Sequence, residues 1–212
     1  PDPAVRAAAR EFIGGIVDVA GGLAAPAIIG SMQGSATAEV PREAALDHLA
    51  AALAELGARA ARHGQVLLYE PLNRYETNLF NRQAEAAAFL DARGIRDVRL
   101  LCDLFHMNIE EADPAAALEA AGPRVGHVHW ADSNRQAMGC GHTDPRPVVA
   151  ALERIGYEGF LSAEVFPQPT AADAARRTIQ SLRDQGVVAR PGGAAPIAAC
   201  ATAAPASSLV SA

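Results

Sequence analysis

VRLLCD, at residues 98–103, is a short and nearly continuous apolar run that ends in an acidic side chain. An apolar run of this length predicts a strand buried on both faces, as the strands of a parallel sheet are. Similar runs recur along the chain at residues 27–30, 66–69, 125–129 and 160–163. The sequence therefore predicts five short strands of one kind, with residues 98–102 as the middle strand.

Helical signals lie between these strands. Asp2 can cap a first helix that Pro3 opens and that Gly21 and Gly22 end. The helix expected between Pro41 and Gly64 has an apolar stripe formed by Leu46, Leu49, Leu53 and Leu56. Further helices are predicted over residues 84–90, 113–122, 148–155 and 172–183. Strands that alternate with helices in this way predict an α/β fold with a parallel sheet.

The composition narrows the classes of function. The net charge is −6 and the longest basic run is a single Arg pair, so nucleic-acid binding is disfavoured. All 18 basic residues are arginine, which excludes both a Schiff-base lysine and a phosphate-loop lysine. The three cysteines form no CxxC pair, and no apolar run is long enough for a membrane span. We therefore expect a cytoplasmic protein without a membrane partner.

Four successive predicted strands end in residues that can bind a metal ion: Glu70, Asp103, His129 and Glu164. In a parallel barrel the C-terminal ends of all strands meet on one face, so these side chains would converge. Three carboxylates and one imidazole form a hard, oxygen-rich set that suits Mn²⁺ or Mg²⁺, with Co²⁺ tolerated. Taken singly, Asp103 could instead cap the next turn, and His129 could be a core histidine.

Longer segments surround these strand ends. They are YEPLNRYETN at residues 69–78, CDLFHMNIEE at 102–111, GHVHWADSNR at 126–135 and SAEVF at 162–166. Together they resemble the D-tagatose 3-epimerase and D-psicose 3-epimerase group of the xylose isomerase-like superfamily, whose members are TIM-barrel sugar isomerases and epimerases. One departure is Met138, which stands where that group usually has a proline before the glycine.

The resemblance implies a role for each polar residue at the strand ends. The metal ligands of the group match Glu70, Asp103, His129 and Glu164, and its catalytic acid/base pair matches Glu70 and Glu164. The residues that hold the sugar's oxygens around its carbonyl match Glu76, His106 and Arg135. We interpret His127 as a residue of the core or of the layer behind the ligands, and His142 as a loop residue.

The same resemblance implies a (β/α)₈ TIM barrel of which this chain supplies the last five βα units, so we expect an N-terminal truncation. A complete barrel takes about 250 residues. We assign residues 1–188 to the partial barrel and residues 189–212, which are rich in Ala and Pro, to a disordered tail. Open sheet edges favour self-association, so a homo-oligomer is one expectation.

The expected activity is a metal-dependent epimerisation or isomerisation of a ketose or a related α-hydroxy carbonyl sugar. Removal of the proton beside the carbonyl gives an enediolate, which a divalent metal stabilises. Return of a proton to the opposite face epimerises the centre, and return to the neighbouring carbon isomerises the sugar. Three alternatives stay open: a related barrel enzyme such as a hydroxypyruvate isomerase or inosose dehydratase, an apurinic-site endonuclease of the same superfamily, and an inactive, truncated sugar-binding protein.

Overall fold

The computed structural model describes residues 2–187, in which helices pack on one five-stranded sheet. The strands follow one another in the sheet as they do in the chain: β1 (Ala27–Ile29), β2 (Leu67–Tyr69), β3 (Val98–Asp103), β4 (Val125–His129) and β5 (Leu161–Ser162). Every neighbouring pair is parallel. Because each crossover leads to the next strand in the row, the helices lie on the same face of the sheet. The five predicted strands are confirmed, and no end differs by more than one residue.

The α-helices of the described residues are α1 (Pro3–Gly22), α2 (Arg42–Ala61), α3 (Gln83–Ala92), α4 (Leu104–Glu110), α5 (Pro114–Ala121), α6 (Pro145–Arg154) and α7 (Ala171–Asp184). As predicted, the Asp2 carboxylate caps α1 by accepting a 2.8 Å hydrogen bond from the Ala4 amide. Gly64 and Gly94 have φ of +70° and +64°, the left-handed conformation in which helices commonly end. No helix within residues 2–187 is both long and apolar enough to cross a membrane.

The hydrophobic core lies between the sheet and the helices. Alternate strand residues point into this layer: Ala27, Ile29, Leu67, Tyr69, Val98 and Leu100. Leu49, Leu53 and Leu56 of α2 pack in the same cluster, whereas Leu46 is only partly buried. The other face of each strand is therefore free to carry the polar residues of a site.

Two helices differ from the sequence prediction. The pattern does not predict α4, because Asp103 both ends β3 and caps the helix, leaving no glycine or proline between them. The α6 helix begins at Pro145 rather than at residue 148, because Asp144 caps it by accepting a hydrogen bond from the Arg146 amide. Capping by an acidic side chain is the common cause of both differences.

Apolar surface is exposed on β1, where Ile28 is 45% exposed, and on helix α1. Within the described residues β1 and β5 pair with one neighbour each and not with one another. The outward face of α1 carries exposed Phe12 and Val19, although Ile13 and Val17 of the same helix are buried.

The tail predicted for residues 189–212 lies outside the described residues, so the proposed domain boundary stays a prediction.

Candidate metal centre

Four side chains from four strand ends converge at the C-terminal edge of the sheet. Glu70, Asp103, His129 and Glu164 each offer one ligand atom, and these atoms lie within 4.8 Å of one another. The Nδ1 atom of His129 lies within 4 Å of all three carboxylates. It is 3.1 Å from Oδ2 of Asp103, 3.3 Å from Oε2 of Glu164 and 3.9 Å from Oε1 of Glu70. Residues spread over nearly 100 positions of the sequence thus form one cluster.

A register shift between β3 and β4 aligns two members of this cluster. Leu100 pairs with Val125, whereas Leu101 pairs with His127, so one residue of β4 is skipped. The skipped residue is Gly126, where a Cβ atom would lie 2.5 Å from Cβ of Arg99. Asp103 consequently pairs with His129. Because side chains alternate along a strand, pairing without the shift would bring Val128 beside Asp103 instead.

Asp103 serves two purposes with its two oxygens. Its Oδ1 caps α4 by accepting a 2.8 Å hydrogen bond from the Phe105 amide, and its Oδ2 faces His129. The capping role considered from the sequence is therefore compatible with a place in the cluster, because each role uses a different oxygen.

Glu70 lies on the buried side of the cluster. A Cβ atom at Gly30 would be only 2.6 Å from Oε2 of Glu70, so the absence of a side chain at Gly30 makes room for the carboxylate. Behind it, the Gln33 amide donates to the Glu70 carbonyl oxygen at 3.2 Å and accepts from the Tyr69 hydroxyl at 2.7 Å. Within the described residues, Oε1 of Glu70 is buried without a hydrogen-bond partner.

The electrostatics of the cluster indicate an excess of negative charge. Burial, together with the neighbouring Asp103, raises the pKa of Glu70 to about 8. Burial alone would lower the pKa of His129, but hydrogen bonds to Asp103 and Glu164 raise it to about 9. The hydrogen bond to His129 lowers the pKa of Glu164 to about 2. Three carboxylates around one imidazole, with one buried oxygen unpartnered, fit a divalent cation bound mainly through oxygen.

The three residues assigned to sugar binding lie around the cluster. His106 is buried, and its Nε2 atom is 3.9 Å from Oε1 of Glu70. Arg135 donates from Nη2 to Oε2 of Glu164 at 3.1 Å, and its Nη1 is 3.9 Å from Oε1 of Glu76. The Arg135 guanidinium also lies over the Phe105 ring, 5.1 Å from the ring centre. The cluster is thus bordered by hydrogen-bond donors on two sides.

The sequence did not indicate two buried residues that fix the positions of His106, Glu76 and Arg135. Asn73 donates from Nδ2 to His106 and to Glu76, at 2.8 and 2.9 Å. Asp132 stabilises the loop that carries Arg135. Its carboxylate accepts hydrogen bonds from the backbone amides of Ser133, Gly139, Gly141 and Thr143. Burial would raise the pKa of Asp132, but these bonds lower it to about 2. A signal for Asp132 was available, since successive backbone amides in a turn can bind an anion, and Gly139 and Gly141 follow Asp132 closely in the sequence.

The remaining polar candidates lie as the sequence indicated. His127 is on the same face of β4 as His129, with ring centres 5.5 Å apart, and its Nε2 is 2.7 Å from the Ser162 hydroxyl. Burial lowers the pKa of His127 to about 4, as expected for a core histidine. His142 is on a loop, where its backbone amide bonds to Ser133. Burial raises the pKa of the Cys102 thiol, so this residue packs rather than reacts.

Comparison with known proteins gives one family match that covers most of the chain. The family described as the xylose isomerase-like TIM barrel matches residues 1–185. A TIM barrel has parallel strands with helices on their outer face, which agrees with the architecture of the described residues.

Curated relatives of this chain include two named L-ribulose 3-epimerase. An L-ribulose 3-epimerase from Mesorhizobium japonicum is 38% identical over 60% of this chain and 43% of its own length. An L-ribulose 3-epimerase from a Methylomonas species is 36% identical over 78% of this chain and 58% of its own length. The chain thus spans about half the length of the curated relatives it matches. A crystal structure of a Methylomonas D-allulose 3-epimerase in complex with D-allulose has a TM-score of 0.78 and 30% identity, covering 87% of this chain and 71% of that one.

Proposed function

The chain belongs to the xylose isomerase-like TIM barrel family, and we propose that it is a divalent-metal-dependent sugar epimerase or isomerase. The proposed substrate is a ketose or a related α-hydroxy carbonyl sugar, in line with relatives named L-ribulose 3-epimerase and D-psicose 3-epimerase. The observation that carries the proposal is the cluster of three carboxylates and one histidine at the strand ends.

Glu70, Asp103, His129 and Glu164 are the residues that would hold the cation. A bound divalent cation supplies Lewis-acid stabilisation of negative charge on substrate oxygens. Mn²⁺ is the proposed ion, with Mg²⁺ and Co²⁺ as alternatives, because carboxylate-rich sets with one imidazole suit hard or borderline cations.

Glu70 and Glu164 are the proposed acid/base pair. One carboxylate takes the proton from the carbon beside the carbonyl, and the electron pair of that C–H bond moves towards the carbonyl oxygen to give an enediolate. The other carboxyl group gives a proton to the opposite face of the same carbon, so the configuration inverts. If the proton is instead taken from the terminal carbon beside the carbonyl and delivered to the carbonyl carbon, a ketose becomes an aldose. The shape of the sugar pocket would decide between these outcomes.

His106, Arg135 and Glu76 are the proposed contacts to the sugar. They lie beside the acid/base pair, with His106 next to Glu70 and Arg135 next to Glu164. Arg135 already faces two carboxylates, Glu164 and Glu76, so it is poorly placed to neutralise a phosphate as well. We therefore propose a non-phosphorylated sugar. A cytoplasmic location and a homo-oligomeric state stay predictions.

The related barrel reactions and the endonuclease reaction are weaker candidates. A hydroxypyruvate isomerase or an inosose dehydratase would use the same kind of proton removal, and a panel of substrates would separate them. An apurinic-site endonuclease would need a cluster of zinc-binding histidines and a basic surface. The present cluster contains one histidine, and the chain carries a net charge of −6.

The test combines metal binding with proton exchange. Metal-depleted protein is titrated with Mn²⁺, Mg²⁺ and Co²⁺ by calorimetry, and the loaded protein is then incubated with free ketoses in deuterated water. We expect binding of one ion per chain and incorporation of deuterium at the carbon beside the carbonyl, with formation of the epimer. Asp103→Asn should weaken metal binding, because it removes a carboxylate of the cluster while leaving a capping side chain.

The matched control is Glu119→Gln, which removes a carboxylate from an exposed pair with Arg154 on the helical face. It should leave metal binding and exchange unchanged. Equal metal binding by the wild type and Asp103→Asn would contradict the assigned site. Tight metal binding without exchange of any α-hydroxy carbonyl proton would favour a sugar-binding protein without catalysis.

A further inference from the structure

Asn73 is a buried amide, 2% exposed, on the segment that follows β2. The orientation of its side chain is fixed by its own turn, because Oδ1 accepts a 2.9 Å hydrogen bond from the Tyr75 amide. The Nδ2 group must therefore face the other way, towards Nδ1 of His106 at 2.8 Å and Oε1 of Glu76 at 2.9 Å. One amide thus contacts two residues of the proposed sugar site.

Two hydrogen-bond donors point at Nδ1 of His106, whereas Oε1 of Glu76 is 3.8 Å from it, too far for a hydrogen bond. Besides the Asn73 side chain, the Asn73 backbone amide points at the same nitrogen from 3.3 Å. A ring nitrogen that accepts a hydrogen bond cannot carry a proton, and a proton on Nδ1 would face two N–H groups. In a neutral imidazole the proton must then be on Nε2.

The other ring nitrogen, Nε2 of His106, lies on the side of Glu70. Its closest charged neighbour is Oε1 of Glu70 at 3.9 Å, too far for a direct hydrogen bond. That oxygen is buried without a partner among the described residues. The Nε2–H group of His106 and Oε1 of Glu70 are thus far enough apart for a third atom to lie between them and hydrogen bond to both.

We propose that Asn73 is a positioning residue that fixes His106 as the Nε2–H tautomer, so that the ring donates a hydrogen bond to a sugar oxygen next to Glu70. In the same arrangement Asn73 orients the Glu76 carboxylate towards that sugar. The part concerning the sugar rests on the proposed function, whereas the tautomer is a property of the protein alone. If Asn73 had only a structural role, it would stabilise the 73–77 turn, and other residues would determine the tautomer of His106.

The test changes the hydrogen-bonding character of residue 73 at constant shape. In Asn73→Asp a carboxylate oxygen replaces the Nδ2 donor and would accept from His106, so Nδ1 should become protonated. Two-bond ¹H–¹⁵N spectra of ¹⁵N-histidine-labelled protein distinguish the tautomers, and the His106 signals are identified by their loss in His106→Gln. We expect an Nε2–H ring in the wild type and a protonated Nδ1 in Asn73→Asp.

Two further variants keep the result interpretable. Asn73→Ala retains the backbone donor and removes the side-chain donor, so it should give a mixture of tautomers even if Asn73→Asp does not fold. Asn81→Asp is the matched control, because the Asn81 amide braces the same turn through the Leu72 and Thr77 carbonyl oxygens. It introduces the same charge without contacting His106, and the ring should stay Nε2–H.

An Nδ1–H ring in the wild type, or an unchanged ring in both Asn73 variants, would overturn the inference. With the proposed function in place, Asn73→Asp should lower kcat/KM about 10²–10³-fold, the usual loss for one preorganised donor. Asn81→Asp should lower the free energy of unfolding but leave kcat/KM close to that of the wild type. If the tautomer changes as expected but the wild type turns over no ketose, the proposed function fails and the positioning role of Asn73 stands.

Discussion

Glu70 and Glu164 are the same type of residue, and each follows a strand of the same sheet, yet their surroundings differ. Glu70 follows β2, which has a strand on either side, and its side chain is 9% exposed. Glu164 follows the outermost strand β5, and its side chain is 43% exposed. Burial raises the pKa of Glu70 to about 8, whereas the hydrogen bond to His129 lowers that of Glu164 to about 2.

The comparison shows that position in the sheet, rather than residue type, sets the chemistry of a carboxylate. On the buried side there is little water to solvate a charge, so the neutral form of Glu70 is favoured. On the outer side, the Arg135 guanidinium 3.1 Å away adds to the effect of His129 and favours the ionised form of Glu164. Pairs of groups whose surroundings separate their pKa values are typical of acid/base sites.

The largest effect that we expect is on turnover, and there the two residues should behave alike. Glu70→Gln and Glu164→Gln each keep the shape of the side chain but remove the group that takes or returns the proton. Each should lower kcat about 10²–10⁴-fold, the usual scale for loss of acid–base catalysis. Initial rates of ketose epimerisation measure the effect.

Leu53→Ala is the control for this prediction, since Leu53 is fully buried in the helical layer away from the cluster. It should lower the free energy of unfolding by about 2–5 kcal/mol through the cavity it leaves. Below its melting temperature its kcat should be close to that of the wild type. A Gln variant with near-normal kcat would disprove the catalytic role of that residue. It would also disprove the prediction that both carboxylates are needed alike for turnover.

A smaller effect is expected from the loop on the Glu164 side. Asp132→Asn places an amide where a buried carboxylate accepts four backbone hydrogen bonds, so at least one N–H group must face another. We expect a loss of about 1–3 kcal/mol in the free energy of unfolding, measured by urea denaturation. Arg135, held by the same loop, should lose its fixed position beside Glu164.

The control for the loop is Asp144→Asn, because asparagine also caps a helix and the site lies close in sequence. Its effect on the free energy of unfolding should be smaller than that of Asp132→Asn, because asparagine is also a good N-cap and the exposed ion pair with Arg146 contributes little. An equal and small loss in both variants would mean that Asp132 does not hold the loop, and that the Arg135 contact has another origin.

Much of the fold could be predicted because each strand and helix has a local signal. The apolar runs locate all five strands, and capping aspartates and terminal glycines locate most helices. The α4 helix could not be predicted, since Asp103 ends a strand and begins a helix in one residue. The sequence also indicated that Glu70, Asp103, His129 and Glu164 would converge, because parallel strands end on one side of a sheet.

What could not be predicted depends on contacts between distant segments. The register shift at Gly126 that aligns Asp103 with His129 is a relation between two strands, and one strand by itself does not specify it. The unequal burial of Glu70 and Glu164 depends on which strands lie on either side. Asn73 resembles any turn asparagine until its partner His106, 33 residues further along, is known.

The direction of each pKa shift determines how stability should depend on pH in the metal-free protein. The pKa of Glu70 is raised from 4.5 to about 8, so its contribution is fully present below pH 4.5 and is lost as pH rises through that window. The pKa of Glu164 is lowered from 4.5 to about 2, so its contribution is present above pH 4.5 and is lost as pH falls through about 2.

The smallest expected effect, and the sharpest test of the comparison, is therefore a difference of sign between two Gln variants measured with a chelator present. At about pH 8, Glu70→Gln should melt above the wild type, because glutamine resembles the neutral carboxyl that burial favours, and the difference should vanish near pH 4. Glu164→Gln should melt below the wild type at neutral pH, by less than the pKa shift alone implies, since solvent screens a side chain exposed to this degree. For a chain of this size, 1 kcal/mol corresponds to about 2–4 °C, which differential scanning calorimetry resolves.

A saturating divalent cation should make both variants melt below the wild type, because each has lost a ligand. Shifts of equal sign without the cation would show that the two carboxylates share one environment.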